Sequence, residues 1–139
     1  GKRVSLSHNS PVMERCLLKM QYFPVTKTDF TKTKFSGKNT NFNEAKFLCK
    51  EITDFEGAKF ASDKGTSFHR THFQGEGKIN FSGVQFYGEG RINFSEAEFS
   101  GNGGADFGWE KFSNKKGVDF HEAKFFGPGK VESKINLFK

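Results

Sequence analysis

Phenylalanine recurs along this chain at Phe42, Phe55, Phe68, Phe81, Phe94, Phe107 and Phe120, at a constant step of 13. A second series runs five positions later, at Phe47, Phe60, Phe73, Phe86, Phe99, Phe112 and Phe125. Phe30 and Phe35 extend both series backwards with one residue deleted, and Phe138 extends the second forwards, so 17 of the 19 phenylalanines fall into two columns. Polar and small positions keep the same step. Before the first Phe stand Asn41, Asp54, Ser67, Asn80, Asn93, Asp106 and Asp119, and three positions after it come Ala45, Ala58, Thr71, Val84, Ala97 and Ala123. Glycine gathers between repeats, as in Gly75-Glu76-Gly77 and Gly88-Glu89-Gly90, which is turn chemistry. Self-similarity at a fixed spacing of this kind marks a solenoid or an array.

A helix does not have this period. A straight strand is also excluded, because positions five apart on a strand point to opposite faces. Burying both rings requires a bend between them: a short strand, a corner, a second short strand and a turn. Stacked coils of that form pair each backbone with the coils above and below, and equivalent rings form interior ladders.

Divided into fives, Val118-Asp119-Phe120-His121-Glu122 and Ala123-Lys124-Phe125-Phe126-Gly127 resemble pentapeptide repeats, as do Ile92-Asn93-Phe94-Ser95-Glu96 and Ala97-Glu98-Phe99-Ser100-Gly101. The resemblance spans about Phe30 to Phe125. It implies an all-β chain, a right-handed, four-sided β-helix in which a small residue, an Asp or Asn and a central Phe make one side. The chain departs from that family in adding three residues after every two pentapeptides. A coil could then take one such repeat or two. A one-repeat loop would enclose about two-fifths of the area of a square coil of four pentapeptides while holding half its rings, which close packing resists. The area argument favours two repeats per coil, and about four coils in a rod on the order of 20 Å long.

Two regions are expected: an N-terminal arm with a capping helix over residues 1–29, and the solenoid over 30–139. Ser10 is a candidate N-cap and Pro11 a favoured first residue for a helix running through Val12–Met20. With Tyr22 and Phe23, that helix would cover the open end of the first coil. The C-terminal end has no helix signal, so any self-association, as a homodimer, is expected there through Phe126, Leu137 and Phe138; continued repeats in a longer parent chain are the alternative. Gly1 in the place of Met points to an excised or tagged segment, which leaves room for a trimmed targeting signal.

Composition narrows the classes. Lys and Arg number 22 against 16 Asp and Glu, a net +6. Residues 1–29 carry +3 and residues 30–139 carry +3, so the repeat region is close to balance. No apolar run reaches the roughly 20 residues of a membrane-spanning helix. Cys16 and Cys49 have no ligand-spaced partners, which argues against zinc and suits free thiols in a reducing cytoplasm better than a disulfide.

The candidate chemistry is sparse, and no cofactor or metal is expected. His69 and His121 share a column but lie four repeats apart, while His8 and His72 find no ligand set. Glu44, Glu96 and Glu122 share an outward column without the enclosed pocket that acid–base catalysis needs. Lys34, Lys46, Lys59, Lys111 and Lys124 form a stripe broken by His72, Gln85 and Glu98. Trp109 is the one large aromatic in an outward column, a candidate interface anchor. The sequence thus reads as a non-enzymatic, rigid module for protein–protein binding or scaffolding, with Trp109, Lys46, Lys59, Lys111 and Lys124 as its candidate surface. The pentapeptide resemblance implies a second reading, a DNA mimic that protects topoisomerases, which the net positive charge opposes. A weak binder of nucleic acid or an anionic surface is a third, with nucleic acid disfavoured because the rings are needed inside.

Overall fold

The structure is a computed structural model. It describes residues 3–5, 12–13, 16–17, 22–23, 27–108, 111–126 and 131–133, and of those in 3–23, 111–112 and 131–133 only the course of the backbone. Among the described residues there are 21 short strands and no helix. First come β1 (Arg3–Ser5), β2 (Val12–Met13), β3 (Cys16–Leu17) and β4 (Tyr22–Phe23). Four full coils follow. They are β5 (Lys27–Asp29), β6 (Lys34–Phe35), β7 (Thr40–Asn41) and β8 (Lys46–Leu48); then β9 (Ile52–Asp54), β10 (Lys59–Phe60), β11 (Gly65–Ser67) and β12 (His72–Gln74). Above these lie β13 (Lys78–Asn80), β14 (Gln85–Phe86), β15 (Arg91–Asn93) and β16 (Glu98–Phe99); then β17 (Ala105–Phe107), β18 (Lys111–Phe112), β19 (Val118–Asp119) and β20 (Lys124–Phe125). Strand β21 (Val131–Ser133) lies over β17.

Every fourth strand pairs in parallel, so the coil has four sides, each a separate sheet. The first side is β1-β5-β9-β13-β17-β21, the second β2-β6-β10-β14-β18, the third β3-β7-β11-β15-β19 and the fourth β4-β8-β12-β16-β20. The register sets the coil length. Lys59 lies beside Gln85, Thr66 beside Ile92 and Phe73 beside Phe99, each pair at a step of 26. Two consecutive repeats therefore make one coil, as the area argument favours. The deleted residue before Phe42 is absorbed at the corner between the second and third sides, where the step changes from 25 at Lys34 and Lys59 to 26 at Thr40 and Thr66.

The corners follow from the repeat's polar column. The Asp or Asn before the first Phe accepts a hydrogen bond from the backbone N–H two positions on, as Asp54 does from Glu56 at 2.9 Å and Asn93 from Ser95 at 2.8 Å, and Ser67 does the same from His69 at 3.3 Å. Such side chains mimic a turn with their own oxygen. The residue after that turns left-handed, with φ between 55° and 61° at Lys32, Glu44, Arg70, Glu96 and Glu122, and the N–H of the next closes back onto the Phe carbonyl, as Ala97 does onto Phe94 at 3.1 Å. A β-turn with positive φ at its third residue bends the strand between the two rings. Both rings thereby face inward.

Each of the two Phe columns becomes two ladders once the coil takes two repeats. Phe30, Phe55, Phe81 and Phe107 stack at 5.0, 4.7 and 5.1 Å, and Phe42, Phe68, Phe94 and Phe120 at 4.8, 4.7 and 5.0 Å. Phe35, Phe60 and Phe86 form a third ladder, and Phe47, Phe73, Phe99 and Phe125 a fourth. These separations match the strand spacing of about 4.8 Å, so hydrogen bonding and ring stacking agree on one rise. Across the coil the ladders meet edge to face, Phe81 against Phe94 at 5.8 Å and 85°. Small residues fill the gaps: Ala45, Ala58, Val84 and Ala97 are fully buried.

The capping helix expected from Pro11 onward falls partly outside the described residues. Where the segment is described, Val12–Met13 and Cys16–Leu17 are strands instead. Their backbones pair with β6 and β7, which supplies the same edge protection that a helix would have been needed for. Met13 and Phe23 occupy the register positions of Phe35 and Phe47.

Candidate functional site

The two-repeat coil redistributes the outward columns. Odd-numbered repeats put their lysine position on the second side, where Lys34, Lys59, Gln85 and Lys111 stand in register. Even-numbered repeats put it on the fourth side, as Lys46, His72, Glu98 and Lys124. The lysine stripe read from the sequence is thus two separate columns. Lys59 and Lys111 share one side, Lys46 and Lys124 another. Trp109, Leu137 and Phe138 lie outside the described residues. Phe126 is 50% exposed, and its N–H donates to the Phe99 carbonyl at 3.0 Å.

The fourth side and the corner leading into it carry an ion-pair cluster. Arg70, His72, Glu96, Glu98, Glu122 and Lys124 line an open recess of about 240 Å³. Arg70 Nε donates to Glu96 Oε2 at 2.8 Å, and this bond holds the Glu96 carboxyl below its ordinary range and the Arg70 guanidinium above its own. A general acid at neutral pH needs its carboxyl raised, the opposite direction. His72 Nδ1 is 3.0 Å from Glu98 Oε2, an ion-pair distance without hydrogen-bond alignment. His69 Nδ1 lies 2.8 Å from the Ser95 hydroxyl, which sits one coil above it and one below His121. The two histidines of that column are therefore separated by a whole coil. Among the described residues, no three His, Cys, Asp or Glu side chains gather as a metal site would require.

The first side displays Asp29, Asp54, Asn80 and Asp106 in register. Asp54 is 9% exposed, and burial, then the charges of Asp29 and Glu56, push its carboxyl above the usual range. Asn80 Nδ2 donates to Asp54 Oδ1 at 3.2 Å and separates Asp54 from Asp106. The third side offers a second open recess, of about 410 Å³, with Asn41, Ser67 and Asn93 beside Lys64 and Arg91.

The sequence reading missed the cations at the corner between the second and third sides. Lys38, Lys64 and Arg91 are exposed there, with Lys115 and Lys116 one coil further on. The available signal is the two-repeat step: Lys38 and Lys64 are so spaced, and Lys116 stands two such steps beyond Lys64. It is invisible at a step of one repeat.

Compared with known proteins, the chain matches no family model, no curated relative and no solved structure.

Proposed function

We propose that this chain is a rigid, non-enzymatic scaffold of the pentapeptide-repeat type, which displays polar side chains in registered columns to a protein partner. The observation that carries this reading is the use of its aromatic rings. Twelve phenylalanines are fully buried in the ladders, and what faces out among the described residues is a set of polar columns repeating at the coil spacing, with open recesses between them. Identical backbone rise in four sheets makes that display stiff. A partner strand or loop would meet side chains about 4.8 Å apart along each side.

Lys46 and Lys124 on the fourth side and Lys59 and Lys111 on the second give two distinct surfaces for such contacts, and Trp109 is a third candidate. Self-association belongs to the upper end, where Phe126 is exposed and Phe120 and Phe125 are only partly covered. Exposed Phe126 replaced by Glu, together with Leu137→Glu and Phe138→Glu, should then convert any dimer seen by sedimentation into monomer.

A topoisomerase protection assay separates this reading from DNA mimicry. The scaffold reading expects the cleavage and supercoiling activity of gyrase to be unchanged by the chain. Clear protection would overturn it in favour of the acidic first side acting as the mimic.

A further inference from the structure

The repeat region is close to neutral in sequence, but coiling sorts its charge by side. The second and third sides are built from residues 34–41, 59–67, 85–93 and 111–119, which hold eight Lys or Arg and three Asp or Glu. The other described residues of 27–126 hold seven Lys or Arg and ten Asp or Glu. Among the described residues one flank of the rod is thus +5 and the other −3.

The two flanks also differ in pairing. On the acidic flank Lys27, Arg70 and Lys78 each sit against a carboxylate, at 3.7, 2.8 and 3.1 Å, while Lys32, Lys46, Lys50 and Lys124 are exposed beside an excess of carboxylates. On the basic flank Lys34, Lys38, Lys59, Lys64, Arg91 and Lys116 are exposed, and among the described residues no carboxylate engages them. Among the described side chains of this flank, Lys115 is the one that is paired, with Glu89 at 2.9 Å. Pairing lowers the potential that a cation projects into solvent, so the field of this flank is set by unpaired charges.

From this array we infer that the basic flank docks on the surface of an anionic lipid bilayer. The choice of partner rests on shape and on where the aromatics are. The cations occupy a parallel sheet and its adjoining corner, with the column from Lys34 to the Lys111 position about 14 Å long at the strand spacing. A planar array of this kind brings all its charges to a planar surface at once. Duplex nucleic acid is read by an element that enters a groove, and a flat sheet enters none. A single strand calls for exposed rings on which bases stack, whereas the described ladder rings are spent in the core. The acidic flank faces away from the bilayer in this pose and fixes its orientation. No part of the chain needs to insert.

The test is co-sedimentation with vesicles of phosphatidylcholine alone and of phosphatidylcholine mixed with phosphatidylserine. The chain should pellet with the mixed vesicles only, and less as salt rises. Each lysine near such a surface contributes enough that reversing Lys34→Glu, Lys59→Glu and Lys64→Glu together should weaken partitioning by about 100-fold or more. The control reverses Lys46→Glu, Lys50→Glu and Lys124→Glu, which alters net charge equally but on the other flank; it should retain most of the binding. Circular dichroism of both variants checks that the fold is kept. Equal losses in the two variants, or no binding to mixed vesicles at low salt, would overturn the inference. Tighter binding to duplex DNA than to the mixed vesicles at matched salt would overturn the choice of a bilayer.

Discussion

Asp54 shows how one position can serve the corner and strain it together. Its Oδ1 accepts from the Glu56 N–H, as the repeat requires, yet the carboxylate is nearly buried between Asp29 below and Asn80 above. An acid whose folded value is raised binds protons more readily folded than unfolded. Its favourable contribution is present in acid and is lost as pH rises from the ordinary aspartate range through the raised value. Asp54→Asn keeps an oxygen for the Glu56 N–H and removes the charge. The melting temperature should rise at pH 7, and the advantage should fade as pH falls below the carboxylate range, measured by thermal melts across pH. Lower stability of Asp54→Asn at pH 7 would refute this. Thr66 offers a second case, since its hydroxyl is buried without a partner, in a column continued by Ile92 and Val118. Thr66→Val should stabilise by about 1 kcal/mol in denaturant titration, the order of an unmet hydrogen bond regained.

At the scale of elements, the corners decide which residues are tolerated. Gly77 packs directly on the coil below, and a Cβ there would come 2.5 Å from the Glu51 carbonyl carbon. Backbone cannot yield as a side-chain tip can. Gly77→Ala should therefore cost about 1–3 kcal/mol, as overpacked sites do, read as a lower urea midpoint. The strands and their inward rings were legible because Phe, Asp or Asn, and Ala recur at one step, and the physical need to bury two rings five positions apart dictates a bend. The coil length needed a packing argument as well. Beyond that the pattern falls silent. Val12–Met13 and Cys16–Leu17 lack the Phe-based repeat, and Pro11 preceded by Ser10 imitates a helix start, so strands there could not be read. The basic flank was hidden for a different reason. A one-repeat step merges Lys59 with Lys46, whereas the coil places them on different sides, and only the two-repeat step separates the cation-rich flank from the carboxylate-rich one.

For the whole molecule, stability is shared along the ladders, because each ring is a neighbour of the next. Phe81 stacks between Phe55 and Phe107 and meets Phe68, Phe73 and Phe94 edge to face. Phe81→Ala opens a cavity lined by rings whose backbones are pinned in register, so it collapses little, and a loss of about 3–5 kcal/mol is expected in equilibrium unfolding. A change below about 1 kcal/mol would mean that the rings are not packed as described. The same rigid stack explains the charge sorting: side chains that a flexible chain would average are held on fixed flanks, one net basic and one net acidic.

The ladders, the corners and the two flanks all depend on a coil of two repeats, and cross-linking tests that directly. Lys59 and Gln85 are register partners on adjacent strands of the second side, about 4.8 Å apart, within reach of a disulfide. Lys59 and His72, one repeat apart in sequence, lie on different sides. With Cys16 and Cys49 replaced by serine, Lys59→Cys with Gln85→Cys should form an intramolecular disulfide on mild oxidation, identified by peptide mapping, while Lys59→Cys with His72→Cys should not. Efficient linkage of the second pair and none of the first would contradict the account.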